Sequence, residues 1–247
     1  MEKNGEKSFG KLFDLLEMIA RTDHGISGKE LSEISGIPQS TTFRMLKFMV
    51  DHDYLRSEHG LYSLGTGFIR LGNVAFQQNP LMKLARPILE ELSRQTQETV
   101  HLAKLQNQQI IYIDKVEGSR PIRMGSLIGK TNPLYCTGVG KAIFAFLSAP
   151  EQEFILEGME YQKFTGTTIC TDSAMRKELK QIRSRGYAVD DCEHEPGVYC
   201  LAAPILNRNG RSIAGISISG AEIYMRKESE SLANLVVLAA KQISEKL

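Results

Sequence analysis

Residues 27–64 read SGKELSEISGIPQSTTFRMLKFMVDHDYLRSEHGLYSL, a stretch in which capping residues, turn residues and apolar positions follow a regular order. Ser27 and Glu30 have the spacing of a capping box, in which each side chain satisfies a backbone N–H at a helix start. Gly36 supplies a turn, and Pro38 suits the first turn of the next helix because its missing N–H costs nothing there. The stretch therefore predicts two short helices joined by a tight turn, which is a helix-turn-helix.

The second of these helices has two distinct faces. An apolar stripe with offsets i, i+3, i+4 and i+7 predicts the inward face, formed by Thr42, Met45, Leu46 and Met49. The same offsets on another face give a largely polar stripe, formed by Ser40, Phe43, Arg44 and Lys47. After this helix, residues 54–56 and 61–64 predict two short strands around a polar turn that ends in Gly60. A hairpin in this place is the wing of a winged helix-turn-helix.

A winged helix-turn-helix lays its second helix in the major groove of DNA. The candidate DNA-contacting side chains are Gln39, Ser40, Thr41, Phe43, Arg44, Lys47 and Arg56. Gln39 can pair with adenine and Arg44 with guanine, whereas Ser40 and Thr41 at the helix start suit phosphate. Phe43 either contacts a thymine methyl or a sugar, or packs under the wing.

The overall charge gives this prediction little support. The chain of 247 residues has a formal net charge of +1, and its first eighty residues carry nine basic and ten acidic side chains. Binding through bulk charge would require a more basic chain. A DNA contact must therefore come from a local surface, such as residues 36–50, whose only charges are Arg44 and Lys47.

The rest of the chain predicts three segments: a DNA-binding domain over 1–64, a linker with a short helix over 65–80, and an α/β domain over 81–247. An N-terminal helix that begins at Ser8 is predicted, and its inward face consists of Phe9, Leu12, Phe13, Leu16, Ile19 and Ala20. In the third segment, apolar patterns predict helices over 81–95, 138–147, 172–185 and 227–246, and strands over 100–105, 110–116, 197–206 and 212–219. The expected fold class is α+β.

The cysteines and the hydropathy indicate the compartment. No C-x-x-C pair occurs among Cys136, Cys170, Cys192 and Cys200, which suits a reducing cytoplasm. No apolar run is long enough to span a bilayer, so no membrane partner is expected.

Six segments carry a resemblance to a known family: STTFRML (40–46), YSLG (62–65), GKTNPLYCTGVGKA (129–142), GYAVDD (186–191), GVYCLAAP (197–204) and AGISISG (214–220). With them the chain resembles the IclR family of bacterial transcriptional regulators over essentially its full length. The resemblance implies a GAF-like effector-binding domain after the linker, operator DNA as partner, a homodimer or dimer of dimers, and no cofactor. IRM (122–124), IG (128–129) and NPLY (132–135) are most similar to repressors of sugar-acid breakdown, including those that respond to 2-keto-3-deoxygluconate.

The candidate effector site combines residue chemistry with this resemblance. Gly138 and Gly140 open an apolar helix, where unpaired N–H groups suit a carboxylate, although the glycines could equally serve close packing. Ser217 and Ser219 share one face of a strand and need partners, either a ligand or neighbouring backbone. The family uses these positions for its effector, which gives the candidate set Thr137, Gly138, Val139, Gly140, Asp190, Cys200, Ser217 and Ser219. Because an ionised Asp190 would repel an anion, the expected effector has a carboxylate at one end and hydroxyls or a carbonyl at the other. That describes a sugar acid or a short keto acid.

Three other interpretations remain open in the sequence. The second domain could only dimerise a constitutive DNA-binding protein. A GAF-like enzyme could use Cys192 or Cys200 with His194 as a nucleophile pair, although no third group orients the histidine. Residues 190–195 with Cys200 could bind a metal, but the spacing matches no standard site. We therefore expect no catalytic and no metal-ligating residue, and we interpret His101 as a core histidine.

Overall fold

The computed structural model describes residues 2–120 and 125–247, so the IRM segment at 122–124 lies outside the described residues. The chain divides into two compact units, Met1–Asn79 and Pro80–Leu247. The first unit consists of α1 (Glu2–Ala20), β1 (Ile26–Ser27), α2 (Gly28–Ser35), α3 (Gln39–Asp51), β2 (Leu55–Glu58), β3 (Leu61–Leu64) and α4 (Thr66–Gln78).

The helix-turn-helix and the wing are both present in the first unit. Ser27 Oγ accepts a hydrogen bond from the Glu30 amide at 3.2 Å, and Glu30 Oε2 accepts one from the Ser27 amide at 3.0 Å, which confirms the capping box. Gly36 ends α2 with a φ of +67°. The wing strands are joined by His59 and Gly60, both at positive φ, so the turn is tighter than the predicted four residues. A short strand that was not predicted, β1, adds to the wing and gives a sheet of order β1-β3-β2.

The core of this unit confirms the inward face of α3 and corrects that of α1. Thr42 is fully buried, with its hydroxyl 3.3 Å from the carbonyl oxygen of Ile37. In α1, Leu15 and Ile19 are buried, but Phe9 and Phe13 are 67% and 64% exposed. The prediction that both phenylalanines face the core is therefore wrong, because Leu15 lies on the buried face instead.

The second unit is a six-stranded antiparallel sheet with helices on both faces. Its strands are β4 (Thr99–Gln106), β5 (Gln109–Val116), β6 (Thr131–Pro133), β7 (Ala188–Asp191), β8 (Val198–Leu206) and β9 (Ser212–Ala221), in the order β6-β5-β4-β9-β8-β7. Its helices are α5 (Pro80–Thr96), α6 (Gly138–Ala145), α7 (Ala149–Glu157), α8 (Asp172–Arg185), α9 (Glu222–Met225) and α10 (Ser229–Glu245). One apolar core lies between the sheet and α5 with α10, and the other between the sheet and α6 with α8. The predicted α+β class is confirmed.

The strand register positions the candidate effector residues. Asp190 on β7 lies opposite Cys200 on β8, and Cys200 lies opposite Ser219 on β9. Ser217 lies opposite His101 on β4. Because cross-strand partners share a face of the sheet, these residues form a polar patch on the side covered by α6. No helix within the described residues has the length and apolar character needed to cross a membrane.

Candidate functional site

Helix α3 carries six of the seven candidate DNA contacts, and the wing strand β2 carries the seventh, Arg56. Six of the seven predicted residues are exposed and Thr41 is half-buried. Lys47 pairs with Asp51 at 3.1 Å, and Arg56 donates a hydrogen bond to Ser63 Oγ at 2.8 Å. Within the described part of the chain, Arg44 makes no ion pair and no side-chain hydrogen bond, so its guanidinium is the cation of α3 most available to a base edge.

Phe43 is held by the first helix of the motif. A Cβ atom added to Gly28 would lie 2.8 Å from Cζ of the Phe43 ring, closer than any real contact allows. The ring therefore packs against the start of α2, while 41% of the side chain remains exposed. Packing under the wing and a DNA contact through the exposed edge, the two predicted roles of Phe43, both stay predictions.

A cavity of about 280 Å³ lies beside the start of α6 in the second unit. Seven of the eight predicted effector residues line it: Thr137, Gly138, Val139, Asp190, Cys200, Ser217 and Ser219. Side chains that the sequence analysis did not assign complete its wall, among them His101, Tyr112, Ser126, Lys130, Asn132, Phe164, His194 and Glu195. The structure thus gathers residues from all six strands of the sheet, from the start of α6 and from the connecting loops around one space.

Gly140 is the predicted effector residue that does not line the cavity. A Cβ atom at this position would lie 2.3 Å from the carbonyl oxygen of Leu134. Gly140 is therefore required for close packing between α6 and the preceding segment. Close packing was one of the two roles predicted for the glycines, the other being carboxylate binding. At Gly138 the nearest atom to an added Cβ would be Cβ of Cys200 at 3.3 Å, and this glycine does border the cavity.

His101 is the partner of the two serines. Its Nδ1 lies 3.5 Å from Ser217 Oγ and 3.4 Å from Ser219 Oγ, and its Nε2 lies 2.7 Å from Ser126 Oγ. Burial, assisted by the charge of Lys115, lowers the pKa of His101 to about 3, so the ring is neutral. The interpretation of His101 as a core residue is thus incomplete, since the buried ring also forms part of the cavity wall.

Asp190 is almost completely buried. Its Oδ1 accepts a hydrogen bond from the Glu193 amide at 2.8 Å. Burial raises the pKa of Asp190 to about 7, against the weaker opposing effects of that hydrogen bond and of Lys141. A carboxyl with this pKa is only partly ionised at neutral pH. The expected repulsion between Asp190 and an anionic ligand is therefore weaker than that of a full negative charge.

A buried ion pair lies next to Asp190 and was not predicted. Lys141 on α6 is 1% exposed and its ammonium contacts Glu193 Oε1. The other oxygen, Glu193 Oε2, has no hydrogen-bond partner among the described residues. The sequence does contain a signal for this ion pair: Lys141 lies inside the apolar run of α6, and a lysine that is buried there requires a charged partner.

The cysteines and the acidic loop do not form a reactive site. Burial raises the pKa of Cys200 and Cys136 well above that of an ordinary thiol, and that of Cys192 to about 11. These thiols are therefore protonated and poorly nucleophilic. Two residues of the acidic loop, Asp191 and Cys192, bring their potential ligand atoms within 4.8 Å of those of Glu222. The two carboxylates of this group are paired with Arg226, whose positive charge opposes a cation there.

Comparison with known proteins identifies the family. The chain matches the model of the IclR helix-turn-helix domain over residues 8–59 and that of the bacterial transcriptional regulator IclR C-terminal domain over residues 74–245. The HTH-type transcriptional regulator KdgR of Escherichia coli (strain K12) is 36% identical over 240 residues, which are 96% of this chain and 91% of that protein. The transcriptional repressor IclR of the same strain is 34% identical over 236 residues, or 93% and 86% of the two chains.

Solved structures agree with this assignment. The crystal structure of Thermotoga maritima IclR superposes with a TM-score of 0.84 at 31% identity, covering 98% of this chain and 99% of that one. The C-terminal domain of E. coli KdgR superposes with a TM-score of 0.61 at 37% identity, covering 67% of this chain and 96% of that domain. The relatives are named as transcriptional regulators and repressors, not as enzymes. The chain belongs to the IclR family of bacterial transcriptional regulators.

Proposed function

We propose that this regulator binds operator DNA through α3 and the wing, and that a small carboxylate bound in the cavity changes that binding. The observation that carries the proposal is the cavity itself, in which the start of a helix faces a patch of buried polar side chains. The first-turn N–H groups of a helix have no acceptor within the helix, and they favour an anion.

The start of α6 supports a carboxylate at one end of the cavity. Thr137, at the N-cap position, makes no capping hydrogen bond with its side chain, and its hydroxyl instead donates to the carbonyl oxygen of Pro133 at 3.0 Å. The amides at Gly138 and Val139 therefore have no side-chain cap to compete with a ligand. Both residues line the cavity.

The opposite wall supports hydroxyls or a carbonyl at the other end of the ligand. His101, Ser217 and Ser219 present hydrogen-bonding atoms, and Asn132 Nδ2 donates to the Tyr112 hydroxyl at 3.4 Å. The volume of about 280 Å³ corresponds to about nine water molecules at ~30 Å³ each, which accommodates either a short keto acid or a six-carbon sugar acid. Sugar acids and keto acids are the effector class we propose.

The proposed mechanism is a change in the geometry of a homodimer or a dimer of dimers. A dimeric helix-turn-helix protein reads two half-sites, so the separation of its two α3 helices determines how well an operator fits. An effector that binds one geometry more tightly shifts the population toward it, by no more than its difference in affinity between the two. Because the chromosome is the target, we place the protein in the cytoplasm.

A thermal-shift screen of pyruvate, D-gluconate and related sugar and keto acids tests the proposal. A ligand present at a hundred times its dissociation constant stabilises the folded chain by about 2.7 kcal/mol, which is readily measured. We expect at least one acid of the panel to stabilise the wild-type chain and to change its affinity for operator DNA. If no acid stabilises the chain while operator binding is intact, a constitutive DNA-binding protein with a dimerising second unit is the better description.

A further inference from the structure

The cavity floor contains an uneven set of buried charges. Lys141, Glu193 and Asp190 are each less than 5% exposed. Glu178 lies 4.0 Å from the Lys141 ammonium but pairs more closely with Arg185, at 2.8 Å, so it has a cation of its own. If every group were ionised, this cluster would carry one more negative charge than positive charge.

Of the two acids Glu193 and Asp190, only Glu193 forms an ion pair with Lys141. The Lys141 ammonium contacts Glu193 Oε1, and no ion pair joins Asp190 to any residue in the described ranges. The Glu193 amide gives Asp190 a hydrogen bond but no charge. Lys130 and Glu195 also line the cavity, and their opposite charges offset each other. The titratable groups nearest to Asp190 bring no cation, since the thiols and the phenol are neutral and burial lowers the pKa of the histidine: Cys200 on β8, Cys136 before α6, Tyr112 on β5, and His194 in the loop after β7.

An anion at the start of α6 would be a close neighbour of Asp190. A Cβ atom at Gly138 would lie only 3.5 Å from Cβ of Asp190, so a ligand carboxylate at these amides and the Asp190 carboxylate would meet with little water between them. Two like charges in such a site do not both ionise, and the usual outcome is that one proton is shared or taken up. The helix N-terminus stabilises negative charge on the ligand, which leaves Asp190 as the group that gains the proton.

We propose that the effector carboxylate binds together with one proton, and that Asp190 holds this proton and donates a hydrogen bond to an oxygen atom of the effector. This inference rests on the proposed function. The proton comes from solvent and returns to solvent when the effector leaves. Asp190 then selects for an acceptor oxygen on the effector. A cationic ligand such as an ammonium is disfavoured only by the positive end of the α6 helix dipole. The raised pKa of Asp190 in the free protein, about 7, supports the proposal because little further shift is needed to protonate the carboxyl near neutral pH.

Calorimetric titration of the full chain with pyruvate and with D-gluconate tests the proposal. Titrations at pH 6 and pH 8, each in two buffers of different ionisation enthalpy, measure the protons exchanged per ligand bound. At pH 8 we expect uptake approaching one proton, and at pH 6 we expect much less because Asp190 is already largely protonated. Above neutral pH the affinity should fall by up to about tenfold per pH unit, as linkage to a single proton requires.

Three substitutions assign the proton to its residue. Asp190→Asn should bind with no proton uptake and with an affinity that hardly changes with pH. Asp191→Asn removes the neighbouring carboxylate on the opposite face of β7, and His194→Gln removes another titratable group of the cavity wall; in both, uptake at pH 8 should persist. Uptake that survives Asp190→Asn would place the proton elsewhere and overturn the inference.

The titrations also separate this inference from the proposed function. Binding at pH 8 without proton uptake overturns the inference and leaves the carboxylate site standing. If neither acid binds at either pH, the cavity is not a site for these acids, and the inference is lost with it.

Discussion

At the residue scale, Arg44 is the side chain whose role in base reading can be measured most cleanly. Its guanidinium is exposed on α3 without an intramolecular partner in the described residues. We predict that Arg44→Ala weakens binding to operator DNA by about 1–3 kcal/mol and weakens binding to random DNA much less. Lys47→Ala is the matched control, because Lys47 is already paired with Asp51 and should act only as a phosphate contact. Fluorescence anisotropy on both DNAs measures the difference, and an equal loss on the two would make Arg44 a phosphate contact as well.

Two glycines separated by one residue should fail in different ways. Gly138 borders the cavity, so Gly138→Val should abolish carboxylate binding by filling the approach to the amides, with some loss of stability because an added Cβ would lie 3.3 Å from Cβ of Cys200. At Gly140 a side chain would meet the Leu134 carbonyl oxygen, so Gly140→Ala should lower the free energy of unfolding by about 1–3 kcal/mol through overpacking. Urea denaturation and calorimetry distinguish the two effects. Wild-type binding by Gly138→Val would move the effector site out of this cavity.

The individual site residues show what sequence patterns can and cannot reveal. Ser217 and Ser219 were recognised because alternation in an apolar strand puts two hydroxyls on one face, where they need partners. The partner, His101, could not be identified, because it lies more than a hundred residues away and only the pairing of β4 with β9 brings it near. The ion pair of Glu193 could not be predicted for the same reason, since its partner Lys141 lies on a different element.

At the scale of elements, the contact between α2 and α3 depends on a glycine. We predict that Gly28→Ala lowers the free energy of unfolding of the chain by about 1–3 kcal/mol, because the added methyl group would overlap the Phe43 ring. The double variant Gly28→Ala/Phe43→Ala tests this origin, since removing the ring should remove most of the penalty for the methyl group. Urea denaturation of the four proteins gives the coupling energy. Additive effects would mean that Phe43 does not pack against α2.

The elements that were predicted well are those with strong local signals. The helix expected over 172–185 is α8, Asp172–Arg185, which has Thr171 as its N-cap and Gly186 in the left-handed conformation at its end. The missed strands β1, β6 and β7 have only two, three and four residues, too few for a clear periodicity, and they are held by pairing with β3, β5 and β8. The predicted face of α1 is right for Leu12, Leu16 and Ile19, which pack in the core. It is wrong elsewhere because apolar residues surround more of this helix than the core buries. Phe9 and Phe13 belong to the part left exposed.

At the scale of the whole molecule, the proposed division into domains predicts that the effector site works without the DNA-binding unit. A fragment covering residues 80–247 contains both apolar cores of the sheet and every residue that lines the cavity. We expect it to fold and to bind the same acids as the full chain, with affinities within a few-fold. Circular dichroism and calorimetry measure these two properties. A fragment that is unfolded in isolation would show that the boundary near residue 80 is wrong.

The most direct test of the account compares operator binding with and without an acid that the thermal-shift screen identifies, for the wild-type chain and for Gly138→Val. The measurement is the dissociation constant of the full chain on its operator fragment, by fluorescence anisotropy at fixed salt. A coupling of 1–3 kcal/mol, typical of linked sites, would change the wild-type dissociation constant by roughly 5-fold to 150-fold. The account predicts that Gly138→Val binds the operator as the wild type does and no longer responds to the acid. A variant that responds like the wild type would contradict the account.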